Sequence, residues 1–167
     1  MVAVALETVF ACIEAASNGA SPPGEQQAAM KVLESYNEAA GFVSALVQIL
    51  QEHVRVGVHA RILAAICLKN VVKKCWKAKH SMPNAYVVGA EEKAVLRAFC
   101  GGQRDTGYGY LEPDRQVQVH IAELTAQLMR KDWPGDWPDG VHKLWDAAQS
   151  SDGAVQAAAM YRLYAGP

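Results

Sequence analysis

The sequence predicts an all-α fold, and three observations carry that reading. Every long periodic segment repeats its apolar residues at intervals of three and four. No stretch alternates apolar and polar residues as a half-buried strand does. Glycine, proline and serine clusters cut the chain into eight helical segments, which fall into four pairs spaced at roughly 35 to 50 residues, the lengths of stacked helix-pair repeats. The expectation is therefore a HEAT or armadillo type α-α superhelix (solenoid) of about four antiparallel helix pairs. A plain helical bundle is the runner-up.

The segments follow in order. From Val4 to Ala16, Leu6, Val9, Phe10, Ile13 and Ala16 share a helical face, and Asn18-Gly19 ends it. Ser21-Pro22-Pro23-Gly24 turns the chain into a second helix, about Glu25 to Ala40, with Ala29, Val32, Leu33 and Tyr36 on one side. Gly41 stops that helix. Phe42 to about Glu52 buries Phe42, Leu46, Ile49 and Leu50, and after a break near Val54 to Gly57 a longer helix runs to about Trp76.

Ala78 to Gly89, with Pro83-Asn84, reads as loop. Ala90 to Phe99 is a short helix with Glu91 and Glu92 in its first turn, where the helix dipole favours acids. Gly101 to Tyr110 has four glycines in ten residues and reads as a flexible connection. Pro113, expected at a first helical position, opens a helix to about Lys131. Trp133-Pro-Gly-Asp-Trp-Pro138 is a rigid corner, and helices at about Val141 to Gln149 and Ala154 to Tyr164 complete the chain.

Composition bounds the function. The 167 residues suit one domain, expected over 1–167, and 51% hydrophobic residues against 20% charged can bury a core. A net charge of -1 excludes a whole-chain polycation, so any patch for nucleic acid would have to be local. Cys12, Cys67, Cys75 and Cys100 form no CxxC pair and read as reduced thiols. The start, Met1 to Leu6, is apolar without a basic stretch before it, and Glu7 interrupts it, unlike a signal peptide. No run approaches the roughly 18 to 20 apolar residues of a membrane span, so the expectation is a soluble intracellular protein.

Two helices carry more information than the rest. In Pro113 to Lys131, Val117, Ile121, Leu124 and Leu128 form one stripe, and Val119, Ala122, Ala126 and Met129 a second, about 160° round at 100° per residue. Gln116, His120, Glu123, Gln127 and Arg130 occupy the sector between them. Two apolar sides and one polar sector suit the middle layer of stacked repeats. In Ala60 to Lys77, Ala60, Ala64, Cys67, Leu68, Val71, Val72 and Cys75 share one half, while Lys69, Asn70, Lys73, Lys74 and Lys77 share the other. Arg55 to Lys79 holds seven basic residues and no acidic one, so charge is sorted onto one helix of a nearly neutral chain.

That basic face is the leading candidate site. A plain solvated face is the competing reading, since lysines near a helix C-terminus favour its dipole. Docking of an acidic protein patch is the main functional reading. Nucleic acid fits less well, because no arginine-rich or aromatic-interleaved pattern accompanies Lys69 to Lys79. The residues offer no catalytic constellation, cofactor motif or metal site. Gly101-Gly102-Gln103 matches a release-factor tripeptide only as three residues of a glycine-rich loop. His53 and His59 have no carboxylate between them of the HExxH kind, and Cys75 and His80 lack the further ligands of a zinc site. Trp133-Pro134 and Trp137-Pro138 read as structural: proline blocks helix continuation and each indole covers the end of a neighbouring repeat.

Three blocks within these segments resemble the amino-terminal domain of the importin-β (karyopherin-β) family of nuclear transport receptors. They are Gly41-Phe-Val-Ser-Ala-Leu-Val-Gln-Ile-Leu50, Arg61-Ile-Leu-Ala-Ala-Ile-Cys-Leu-Lys-Asn-Val-Val-Lys-Lys-Cys-Trp76, and Asp114-Arg-Gln-Val-Gln-Val-His-Ile-Ala-Glu-Leu124 closing with Arg130-Lys-Asp-Trp-Pro-Gly-Asp-Trp-Pro138. Their wording is nearest to the importin-eleven-like branch. The resemblance implies a right-handed HEAT superhelix whose second helices line the concave face. It also implies a non-enzymatic receptor that shuttles between cytoplasm and nucleus, binds the small GTPase Ran in its GTP form, and carries cargo on later repeats. Nuclear pore components would be further partners, and neither membrane nor cofactor is implied. Carried over, Lys69, Asn70 and Lys73, with Lys74 and Lys77 beside them, would lie near Ran; Gln116 and Glu123 are secondary candidates. Family receptors are several times longer, so the chain is expected to be a fragment of one.

Overall fold

The structure, a computed structural model, describes residues 3–78, 81–102 and 112–164. Lys79, His80, Gln103 and most of the glycine-rich connection lie outside the described residues. Among those described there are eight α-helices and no β-strand: α1 (Leu6–Ser17), α2 (Pro23–Ser35), α3 (Phe42–Gln51), α4 (Val58–Cys75), α5 (Ala90–Gly101), α6 (Arg115–Asp132), α7 (Gly140–Ala148) and α8 (Gly153–Tyr164). The fold is all-α, with helices packed in pairs in the HEAT manner. The chain divides into two compact units at Lys93/Ala94.

In the first unit α1 packs on α2 and α3 on α4, with α1 also touching α3 and α4. The helix-spaced apolar residues converge here: Val9, Ile13, Leu33, Phe42, Leu46, Ile49, Leu50, Leu68, Val72 and Trp76 are buried. Burial of each large side chain stabilises by about 1.5–3 kcal/mol before conformational entropy is counted. Three outcomes differ from the periodicity. Leu6 and Val32 are exposed, because their helices turn only part of the apolar stripe inward. The second helix ends at Ser35 and tightens into a 3-10 turn at Tyr36–Glu38, so it does not run on to Ala40.

The ends of these helices are closed by neighbours. Gly41, the residue before α3, sits at φ 85°, where a side chain is strained, and a Cβ there would also stand 3.2 Å from the Val4 carbonyl. The Val4 N–H donates to Ala40 O at 2.9 Å, tying the chain before α1 to the start of α3. No side chain of its own caps α3; instead the Ser44 N–H donates to the Glu92 carboxylate, 3.2 Å away in the first turn of α5. At the other end of the pair, the Val88 N–H donates to Cys75 O at 2.9 Å, satisfying a terminal carbonyl of α4. The Lys93 ammonium lies 5.5 Å from the centre of the Trp76 ring.

The second unit packs α8 against both α6 and α7. One of its buried clusters joins Leu144, Ala148, Ala158 and Ala159, with Met129, Val155 and Leu163 around them. Asp114, not Pro113, governs the start of α6: its carboxylate accepts from the N–H groups of Gln116 at 2.9 Å and Val117 at 3.2 Å. Pro113 therefore stands one residue outside the cap, where its missing N–H is not needed.

The corner after α6 is built on Asp132. Its backbone carbonyl accepts from Asp136 N–H at 2.7 Å and Trp137 N–H at 3.0 Å, which folds Trp133 to Trp137 into a tight loop with a cis Trp133–Pro134 peptide. Trp137 is 3% exposed and packs on Gly101 and Gly140. The expectation of burial fails for Trp133, which is 52% exposed because the loop directs it outward; Pro134 and Pro138 are exposed as well. A Cβ on Gly140 would meet the Trp137 ring at 2.8 Å, so that glycine is required by close approach.

Candidate protein-docking surface

The charge sorting read from the sequence is present on α4. Ala60, Ala64, Cys67, Leu68, Val71, Val72 and Cys75 are all buried, and Asn70, Lys73 and Lys74 are exposed on the opposite side. A helix that buries one half against its unit must show the other, so α4 presents amide and ammonium groups as a row. Among the described residues Lys73 and Lys74 have no ion-pair partner, whereas Lys69, half-buried, and Lys77 are each already engaged with another residue. Lys77 also lies beyond the last residue of α4, so it is not part of the helical row the periodicity gave it. The available face is therefore Asn70, Lys73 and Lys74.

Gln116 and Glu123 are exposed on α6, in the second unit. Glu123 lies 3.4 Å from His120 one turn earlier. On the same helix Val117, Ile121, Leu124 and Leu128 are buried, and of the second stripe Ala122 and Ala126 are buried with Val119 and Met129 half-buried. The polar sector expected between the two stripes is thus the open one.

The cysteines behave as small apolar side chains. Burial pushes the Cys67 thiol up to about 12, with Glu34 adding in the same sense, and the Cys100 thiol up to about 11. Burial raises the half-buried Cys12 thiol as well. A thiol held protonated is a poor nucleophile and a poor metal ligand. Among the described residues no group of three or more His, Cys, Asp or Glu side chains could hold a metal. None of their helices is long and apolar enough to cross a membrane.

Sequence reasoning passed over the buried charges. Arg61 donates through Nε to Val56 O at 3.2 Å, and Arg162 through Nη1 to Cys100 O at 2.9 Å. Asp132 Oδ2 accepts from both Nε and Nη2 of Arg97 at 2.8 Å, its own side chain fully buried. A signal existed: Asp132 stands four after Leu128, Arg61 four before Ala65 and Arg162 four after Ala158, each continuing a buried stripe.

The fold and this surface define a HEAT-type helical-repeat domain with an exposed basic helix face. Residues 29–101, from α2 through α5, match the importin-beta N-terminal domain family. Importin-11 of Mus musculus and Importin-11 of Homo sapiens are each 28% identical to it over 144 residues, covering 85% of this chain and 13% of theirs. The chain spans only that 13% of the length of these curated relatives.

Proposed function

We propose that this chain is the GTPase-recognition module of a nuclear transport receptor, binding Ran in its GTP form without catalysing a reaction itself. It acts as part of a receptor that shuttles between cytoplasm and nucleus, with cargo held by repeats of that longer receptor. The observation that carries this is the exposed row Asn70, Lys73 and Lys74 on α4, inside the segment that matches the importin-beta N-terminal domain. Two ammonium groups and an amide on one helix face offer donors to carboxylates of a partner, while Asn70 both donates and accepts. Such exposed charges mainly steer association and set specificity.

The test immobilises the protein and compares Ran-GTP with Ran-GDP, for the natural sequence and for Lys73→Glu/Lys74→Glu. The expected outcome is preference for the GTP form and about a tenfold or greater loss of on-rate in the double variant, steepest at low salt. Equal binding of the two nucleotide states refutes the reading. Binding of nucleic acid through the same lysines would instead fall steeply with salt and ignore the nucleotide on Ran.

A further inference from the structure

A second surface lies in the first unit, between the start of α1 and the end of α3. Leu6, Phe10, Ile49 and Val56 line an open groove of about 390 Å³, at the small end of ligand-sized sites. Leu6 is 36% exposed at its edge and Phe10 is half-buried, so apolar surface is left in water here although α1 and α3 already touch. The rim carries Glu7 and Glu52 against the single cation Arg55. Among the described residues none of these three is in an ion pair.

We infer that this groove docks a segment of another protein that presents one large apolar side chain with lysine or arginine beside it. The apolar floor selects the anchor, since burying it removes both it and Leu6 from water. The rim selects the flanks: two carboxylates against one guanidinium leave a net negative charge, which favours a basic neighbour and disfavours an acidic one. Arg55 can donate to a carboxylate or a backbone carbonyl of the segment. The chemistry is opposite to that of the α4 face, which favours acidic partners, so the two surfaces would engage different segments.

The probe is a fluorescein-labelled 12-residue peptide with a central Leu between lysines, compared with its glutamate-flanked counterpart and with a central-Ser version. The lysine-flanked peptide should bind at least about tenfold tighter than either. Leu6→Glu should abolish that binding, and Glu7→Lys/Glu52→Lys should invert the preference toward the glutamate-flanked peptide; both changes are on exposed side chains, and circular dichroism checks that helix content is kept. Equal binding of the lysine- and glutamate-flanked peptides, or undiminished binding of the central-Ser peptide, overturns the proposal. No binding of the lysine-flanked peptide overturns it too, as does self-association of the protein that Leu6→Glu removes, which would make a second copy the occupant. None of these variants touches Asn70, Lys73 or Lys74, so Ran-GTP binding should be unchanged in all of them, and the two readings fail separately.

Discussion

The two units of the chain hold themselves together differently. The first rests on large side chains: Phe42, Leu46, Leu50, Leu68 and Trp76 are buried, and among its described residues no carboxylate is buried. The second also buries large side chains, among them Phe99, Ile121, Leu124 and Leu128, but along α8 it buries Ala158 and Ala159, and it adds the Arg97–Asp132 pair and the Arg162 bond to Cys100 O. Alanine lets helices approach closely but removes little apolar area from water, about 0.8 kcal/mol for each buried CH2-sized group. Directional contacts at helix ends then do more of the positioning. The difference teaches that a HEAT-type unit can add a few buried polar contacts to its buried volume where one of its helices offers only small side chains.

The strongest way to break that comparison is at Trp76. Trp76→Ala should cost about 3–5 kcal/mol, read as a lower urea midpoint, because its cavity is enclosed on all sides. The loss should be nearly independent of salt. Asp132→Ala comes next, at about 3 kcal/mol, since it removes the carboxylate that takes two bonds from the Arg97 guanidinium, whose side chain is only 21% exposed. The double change Arg97→Met/Asp132→Leu should recover much of this, because two apolar groups of similar volume replace the pair itself without burying either of its charges alone. If the double variant is as unstable as the single one, the pair is not what fastens the second unit.

Gly140→Ala should cost about 1–3 kcal/mol by driving a methyl group into the Trp137 ring, whereas Trp133→Ala, on an exposed ring, should change stability by less than about 0.5 kcal/mol. That contrast separates two tryptophans that look equivalent in the sequence. Both precede a proline, and the corner motif contains no residue that says which one turns inward; the Asp132 carbonyl, by holding Asp136 and Trp137, decides it.

The smallest effect concerns the thiols. Cys12 should react with a thiol probe in the folded protein, while Cys67, Cys75 and Cys100 should be protected until urea opens the fold. The thiols of Cys67 and Cys100 are raised in the folded state above the ordinary value of 9.0, so the unfolded chain gives up their protons first. Stability from this source is complete below pH 9 and falls as pH rises through about 11 to 12. A urea midpoint that falls no more above pH 9 for the natural protein than for Cys67→Ala would show that burial does not shift the Cys67 thiol.

Much of the basic face is legible in the sequence. Lys73, Lys74 and Asn70 fall opposite the apolar half of α4 by 3.6-residue arithmetic alone, and the structure exposes them. Lys69 and Lys77 were not separable from them in that way. Whether a lysine is engaged depends on residues distant in the chain, and whether Lys77 is helical depends on where α4 ends.

By itself the sequence determined the all-α class, the helices to within a few residues, and the match of residues 29–101 to the importin-beta N-terminal domain family. These follow from local periodicity and from breakers such as Gly41 and Pro134, whose effects act over one or two turns. Tertiary structure decided which of two apolar stripes meets a neighbour, leaving Leu6 at the lip of a groove and Trp133 in solvent. It also decided that Asp132, Arg61 and Arg162, which read as surface residues at the ends of helices, are buried with partners. The physical reason is that burying a charge is tolerable only with its partner in place, and those partners come from other elements of the chain.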